Sequence, residues 1–88
     1  MATKLITVTK TGIRKGHQGS ITSCPIARAC VAVGLKNVTV DGTEVQGTYH
    51  GETFNATLPK RAQKFVERFD DDKKSVKPFS FLLRLLFD

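Results

Sequence analysis

Eighty-eight residues suffice for one small domain over positions 1–88 and leave no room for a second core. With 40% hydrophobic and 25% charged residues, the composition is that of a folded globular chain and excludes a disordered tail. The formal charge of +6 is unevenly placed. Residues 1–40 carry six basic side chains (Lys4, Lys10, Arg14, Lys15, Arg28, Lys36) and no acidic one, whereas 41–88 carry eight of each sign. Such asymmetry points to an anionic partner met by one part of the surface. No apolar run approaches the roughly 20 residues of a membrane span, and the start lacks a signal peptide's apolar stretch, so a cytoplasmic protein with no membrane contact is expected. Cys24 and Cys30 are too few for a disulfide scaffold, and on one helix their side chains face different ways.

Leu5-Ile6-Thr7-Val8-Thr9 is short and β-branched, the mark of a first strand. A polar stretch from Lys10 to Ser23, bearing Gly12, Gly16 and Gly19, reads as a long loop. Pro25 opens a helix, where its missing amide proton costs nothing, and Ile26, Ala29, Cys30 and Val33 give it one apolar stripe. Gly34 ends it as a left-handed cap, with Leu35 covering the last turn.

Val38 and Val40 lead to the hairpin signal Asp41-Gly42; Glu44 to Tyr49 returns, His50-Gly51 turns again, and Glu52 to Thr57 forms a third run. Pro59 opens a second helix, with Ala62, Phe65, Val66 and Phe69 repeating the apolar stripe. Phe79, Phe81, Leu83, Leu85 and Phe87 then alternate along a final strand with one apolar face.

The expected order is β-α-β-β-β-α-β, an α+β two-layer domain whose two helices pack on one face of an antiparallel or mixed sheet. A ferredoxin-like wrap is one candidate. Leu82 and Leu86 fall off the core face. Either the strand is central or its outer face partly covered, or it presents an apolar edge that pairs with a second copy, as a homodimer, or with a partner.

Cys24 precedes a helix N-terminus, where unpaired amides favour a thiolate. The C-x5-R spacing of cysteine phosphatases fails, however, because the sixth residue onward is Cys30. A structural role, with the sulfur half buried at the N-cap, accounts for the residue. His17 and His50 read as exposed turn residues, and the soft donors form no metal-ligand pair. Asp70, Asp71 and Asp72 read as a solvated helix end. No hydrolase constellation is present, so the expectation is a non-enzyme without cofactor or metal.

Anion binding remains. Arg14, Lys15 and His17, with the hydroxyls of Ser20, Thr22 and Ser23, lie close in sequence to the amino end of the first helix, a natural seat for a phosphate. On the second helix Lys60, Lys64 and Arg68 form an i, i+4, i+8 row flanked by Arg61, whose mutual repulsion an anionic partner would relieve. Neither patch reads as having the aromatic interleaving of a single-strand platform, which Tyr49 alone cannot supply, and no helix-turn-helix or RNA-recognition signature occurs.

The run Val8-Thr9, Ile13, Gly16, Gly19 and Cys24-Pro25-Ile26-Ala27-Arg28-Ala29 is followed by Arg68-Phe69-Asp70 and Val76-Lys77-Pro78-Phe79-Ser80-Phe81. It resembles an uncharacterised family of short phage and bacterial proteins with a C-P-[IV]-A-x-A helix start and a V-x-P-F-S-F final strand. The resemblance spans Leu5 to Leu83. Where relatives have a histidine before the first-loop isoleucine and a cysteine upstream of C-P, this chain has Gly12 and a segment around Ile21. The resemblance implies a phage origin and transfers no activity. Two functions follow as expectations. One is a small accessory protein binding a phosphate-bearing anion, nucleic acid or nucleotide. The alternative is an inhibitor or adaptor that docks on a host protein.

Overall fold

A computed structural model describes residues 2–87. Strand β1 spans Ala2–Val8, helix α1 Lys10–Lys15, helix α2 Pro25–Ala32, and strands β2, β3 and β4 Lys36–Val40, Glu44–Tyr49 and Glu52–Thr57. Helix α3 (Lys60–Asp71) and a 3-10 turn (Lys73–Ser75) lead into strand β5 (Phe79–Phe87). The fold is α+β in two layers, as its apolar periodicities require.

The sheet has the order β1-β5-β4-β3-β2, and every neighbouring pair is antiparallel. The strand order departs from a ferredoxin-like wrap, whose sheet is also antiparallel but holds its first strand inside and its last at an edge; here β1 is at the edge and β5 inside. The C-terminal strand β5 lies inside the sheet, pairing with β1 along residues 79–85 and with β4 at Leu86 and Phe87. Its outward residues Leu82 and Leu86 are nevertheless exposed, beside Leu5 of β1.

The buried sheet residues fall on one face. Ile6 is opposite Phe81, Val8 opposite Phe79, and Val45 opposite both Val40 and Ala56. Helix α2 presents the small side chains Ala27, Ala29 and Cys30 to this face, so its backbone lies close on the two edge strands, β1 and β2. Helix α3 presents Phe65 and Phe69 instead. Ala62 completes its buried face.

The ends of α2 follow from its sequence. Pro25 is the first helical residue. At the other end the Gly34 amide donates to Val31 O (3.0 Å) and the Leu35 amide to Cys30 O (3.2 Å), with Gly34 at φ 95°, the hydrogen-bond pair of a Schellman cap. Between β3 and β4, His50 (φ 51°) and Gly51 (φ 80°) both occupy the left-handed region, as a two-residue type I′ hairpin demands. The turn at Asp41 takes three residues instead of two. The Asp41 carboxylate accepts from the Thr43 and Glu44 amides (3.0 and 2.8 Å), and those bonds hold it below the usual carboxylate range.

The one element that sequence periodicity misses is α1. Its six residues interrupt what reads as a loop; Thr9 caps it by accepting from the Gly12 amide (3.0 Å), and Ile13 is its buried anchor. Lys73 clamps its end, with Nζ donating to Arg14 O (2.6 Å) and Gly16 O (2.8 Å). No helix among the described residues is long and apolar enough to cross a membrane.

Gly47 tests the packing of β3. A Cβ there would lie 2.7 Å from Lys36 O and 3.1 Å from the Phe54 ring. Gly47→Ala is expected to cost about 1–3 kcal/mol, read as a lower urea midpoint. An unchanged midpoint contradicts the β2–β3–β4 register.

Candidate anion-binding groove

Of the two sites legible in the sequence, the one before Pro25 is the less cationic in space. Its loop is tied to the end of α3: Gln18 Nε2 donates to Phe69 O (2.7 Å), and the Gly19 amide donates to Asp70 Oδ1 (3.0 Å). The adjoining cavity of about 350 Å³ is lined by Ser20 and Cys24 together with three carboxylates, Asp41, Glu67 and Asp70. Arg14, Lys15 and His17 are exposed and do not line it. Ser20 Oγ is engaged by the Thr22 and Ser23 amides (3.3 and 3.0 Å), and the His17 amide donates to Ser23 O (2.9 Å). Thr22 is exposed and Ser23 half-buried. The structure therefore does not gather these six residues around one cavity; the cavity beside Ser20 is lined by acidic side chains.

Cys24 is the N-cap of α2. Its sulfur accepts from the Ala27 amide (3.4 Å), and the residue is 4% exposed. Burial pushes its thiol pKa up and outweighs the lowering effect of the Ala27 and Ile26 amides. Desolvation thus outweighs the thiolate-favouring effect of the helix end. Cys30 is fully buried, and burial pushes its pKa up to about 12 from an ordinary 9.0. Among the described residues no group of three or more His, Cys, Asp or Glu converges on a metal position.

The second site is assembled. Around α3 the charged residues split to either side of the apolar stripe. Glu67 and Asp70 face the loop before Pro25, while Arg61, Lys64 and Arg68 line the opposite flank. The latter three recur at i, i+3 and i+7, so they share one helix face. A groove of about 440 Å³ lies between this flank and the segment leading into β5. Lys77 joins the groove from that segment, with Ser75, Val76, Phe65 and Phe79 completing the lining. Four cations and no carboxylate surround it. Its volume is that of a small-ligand site.

The floor is aromatic. Ring centroids lie 6.1 Å apart for Phe69–Phe65, 4.9 Å for Phe65–Phe79 and 5.4 Å for Phe79–Phe81, which makes one continuous ladder. Arg61 is fixed at its rim: Nη2 donates to Ser80 O (3.0 Å), and the guanidinium lies 5.7 Å from the Phe79 ring centre. Lys60, expected in the same row, is exposed but does not line the groove. Sequence reading missed Lys77 as a member because it lies nine residues beyond Arg68. It missed the aromatic component because Phe65 and Phe79 read only as core. The i, i+3, i+7 spacing of Arg61, Lys64 and Arg68 was the available signal.

Comparison with protein families, with curated proteins and with solved structures returns no match.

Burial of the thiols has a pH consequence. Each is protonated in the folded chain at pH values where the unfolded chain ionises it, so the stabilisation is complete below pH 9 and is lost above it, for Cys30 as pH rises toward 12. The urea midpoint is expected to fall across that window, with a shallower fall in Cys30→Ala. At pH 8 a thiol reagent is expected to label both cysteines only after unfolding. Rapid labelling of the folded chain contradicts the placement.

Proposed function

We propose that this protein is a small non-enzymatic accessory module that binds a phosphate-bearing anion, nucleic acid or nucleotide, through the groove between α3 and the lead-in to β5. The observation that carries this reading is the convergence of Arg61, Lys64, Arg68 and Lys77 on one concave surface with no carboxylate among its lining residues. Like charges on neighbouring helix positions repel, and a phosphate between them replaces repulsion with attraction. Arg61 is already held by Ser80 O, so it loses little side-chain entropy when a ligand arrives. The phage origin implied by the sequence resemblance, and with it residence in a host cytoplasm, belongs to the same proposal.

A second reading, an adaptor or inhibitor that meets a host protein, draws on Leu5, Leu82 and Leu86, which are 57%, 62% and 50% exposed on the sheet face turned away from α3. The two readings use opposite sides of the molecule, so variants separate them.

Fluorescence polarisation with a labelled oligonucleotide across a salt series tests the first. If all four groove cations engage phosphates, the logarithm of the association constant is expected to fall with the logarithm of salt at a slope of about 3. Reversing Arg68 and Lys77 together to Glu is expected to weaken binding by more than about tenfold and to lower the slope. The same reversal at Arg14 and Lys15 has the smaller effect. Absence of binding even at low salt contradicts the reading.

A further inference from the structure

We infer that the groove selects single-stranded nucleic acid, with a base laid on the exposed part of the Phe79 ring and the adjoining phosphates on Lys64, Arg68 and Lys77. The inference rests on the phosphate-binding reading above and adds the class of ligand.

A bare phosphate would use only the walls of this groove. The floor, made by Phe65, Val76 and Phe79, offers it no hydrogen-bond donor. A ligand that fills the groove therefore has a flat apolar part as well as an anionic one, and a nucleotide unit has both. Within the aromatic ladder Phe65 and Phe81 are buried, at 7% and 6% exposure, whereas Phe79 is only partly covered. Phe79 is thus the ring with surface to offer. Its neighbours Phe65 and Phe81 hold its plane, at centroid distances of 4.9 and 5.4 Å, so the stacking surface exists before the ligand arrives. Arg61 beside it supplies a second flat surface, its guanidinium, on which a base can lie.

The arrangement of charge points the same way. Arg61, Lys64 and Arg68 form a row about 10 Å long on one wall, from the rise of 1.5 Å per helical residue. Lys77 belongs to the segment on the other side of the groove, so cations flank the floor. A strand running along the groove has its backbone at the walls and its bases over the floor. In a duplex the bases are stacked inward and the phosphates lie outside. A duplex could touch the cations but would leave the Phe79 ring unused, and stacking on an aromatic ring is open only to a base that is out of the helix.

Polarisation with labelled oligo(dT), a duplex of matched length, and polyglutamate as competitor tests the inference. The single strand is expected to bind at least about tenfold tighter than the duplex, and polyglutamate to compete poorly. Phe79→Leu keeps an apolar side chain in the core while removing the ring. It is expected to weaken single-strand binding by roughly 5- to 100-fold with the salt slope preserved. Lys77→Gln is expected to lower the slope by about 0.7. The chain has no tryptophan. Phe79→Trp therefore places a single indole in the groove, and its fluorescence is expected to quench saturably with oligo(dT) and not with duplex. That readout carries the test if circular dichroism shows Phe79→Leu to be unfolded. Equal or tighter duplex binding, undiminished binding by folded Phe79→Leu, an unquenched indole, or polyglutamate competing as well as oligo(dT) overturns the single-strand inference while leaving phosphate binding standing. Failure of every nucleic acid to bind at low salt overturns the phosphate reading itself.

Discussion

Strand β5 is the piece on which the other elements depend. Its first seven residues pair with the whole of β1, from Val8 opposite Phe79 to Ala2 opposite Leu85, and its last two reach β4 at Asn55 and Phe54. Without it the β2–β3–β4 meander and the amino-terminal strand would be separate pieces, each too small to bury a core. Its strict alternation makes this possible, because Phe81, Leu83 and Leu85 all enter one face. Each such burial contributes about 1.5–3 kcal/mol. Helix α2, with its small side chains, then lies close on both edge strands. The same strand also sets the candidate site: Phe79, its first residue, is at once a rung of the aromatic ladder, between Phe65 and Phe81, and part of the groove floor.

Charge is organised by the faces of α3, which cut across the division between the halves of the chain. In sequence the first forty residues hold all the excess positive charge and the remainder is neutral. In space, Glu67 and Asp70 of the neutral half are delivered to the loop of the basic half, where Asp70 accepts from the Gly19 amide. That transfer leaves Arg61, Lys64 and Arg68 on the other flank of the helix, with Lys77 added across the groove. The electrostatic focus therefore lies about fifty residues later than the charge count suggests.

Much of the fold was legible because its signals are local. Pro25 and Gly34 bracket α2 by backbone geometry, His50-Gly51 marks a tight hairpin, and period-two alternation identifies β5. Sheet order was not legible, since it depends on which apolar strips meet, and the order with β5 inside replaces the ferredoxin-like candidate. Helix α1 escaped because one buried residue, Ile13, gives no periodicity; the Thr9 cap was its only mark. Half of the groove could be read from Arg61, Lys64 and Arg68 as a helix face. The other half could not, because Lys77 and Phe79 reach it only through the turn of chain after α3. Desolvation of Cys24 was equally invisible, since the sequence shows the helix end and not what covers the sulfur.

The central claim is that the groove beside α3, and not the loop before Pro25, receives the ligand. Backbone amide chemical-shift mapping of the uniformly ¹⁵N-labelled protein, titrated with oligo(dT) at low salt, addresses it most directly. The account predicts progressive shifts concentrated at residues 61–68 and 75–80. Shifts confined to residues 14–24, with the α3 flank unmoved, would contradict it.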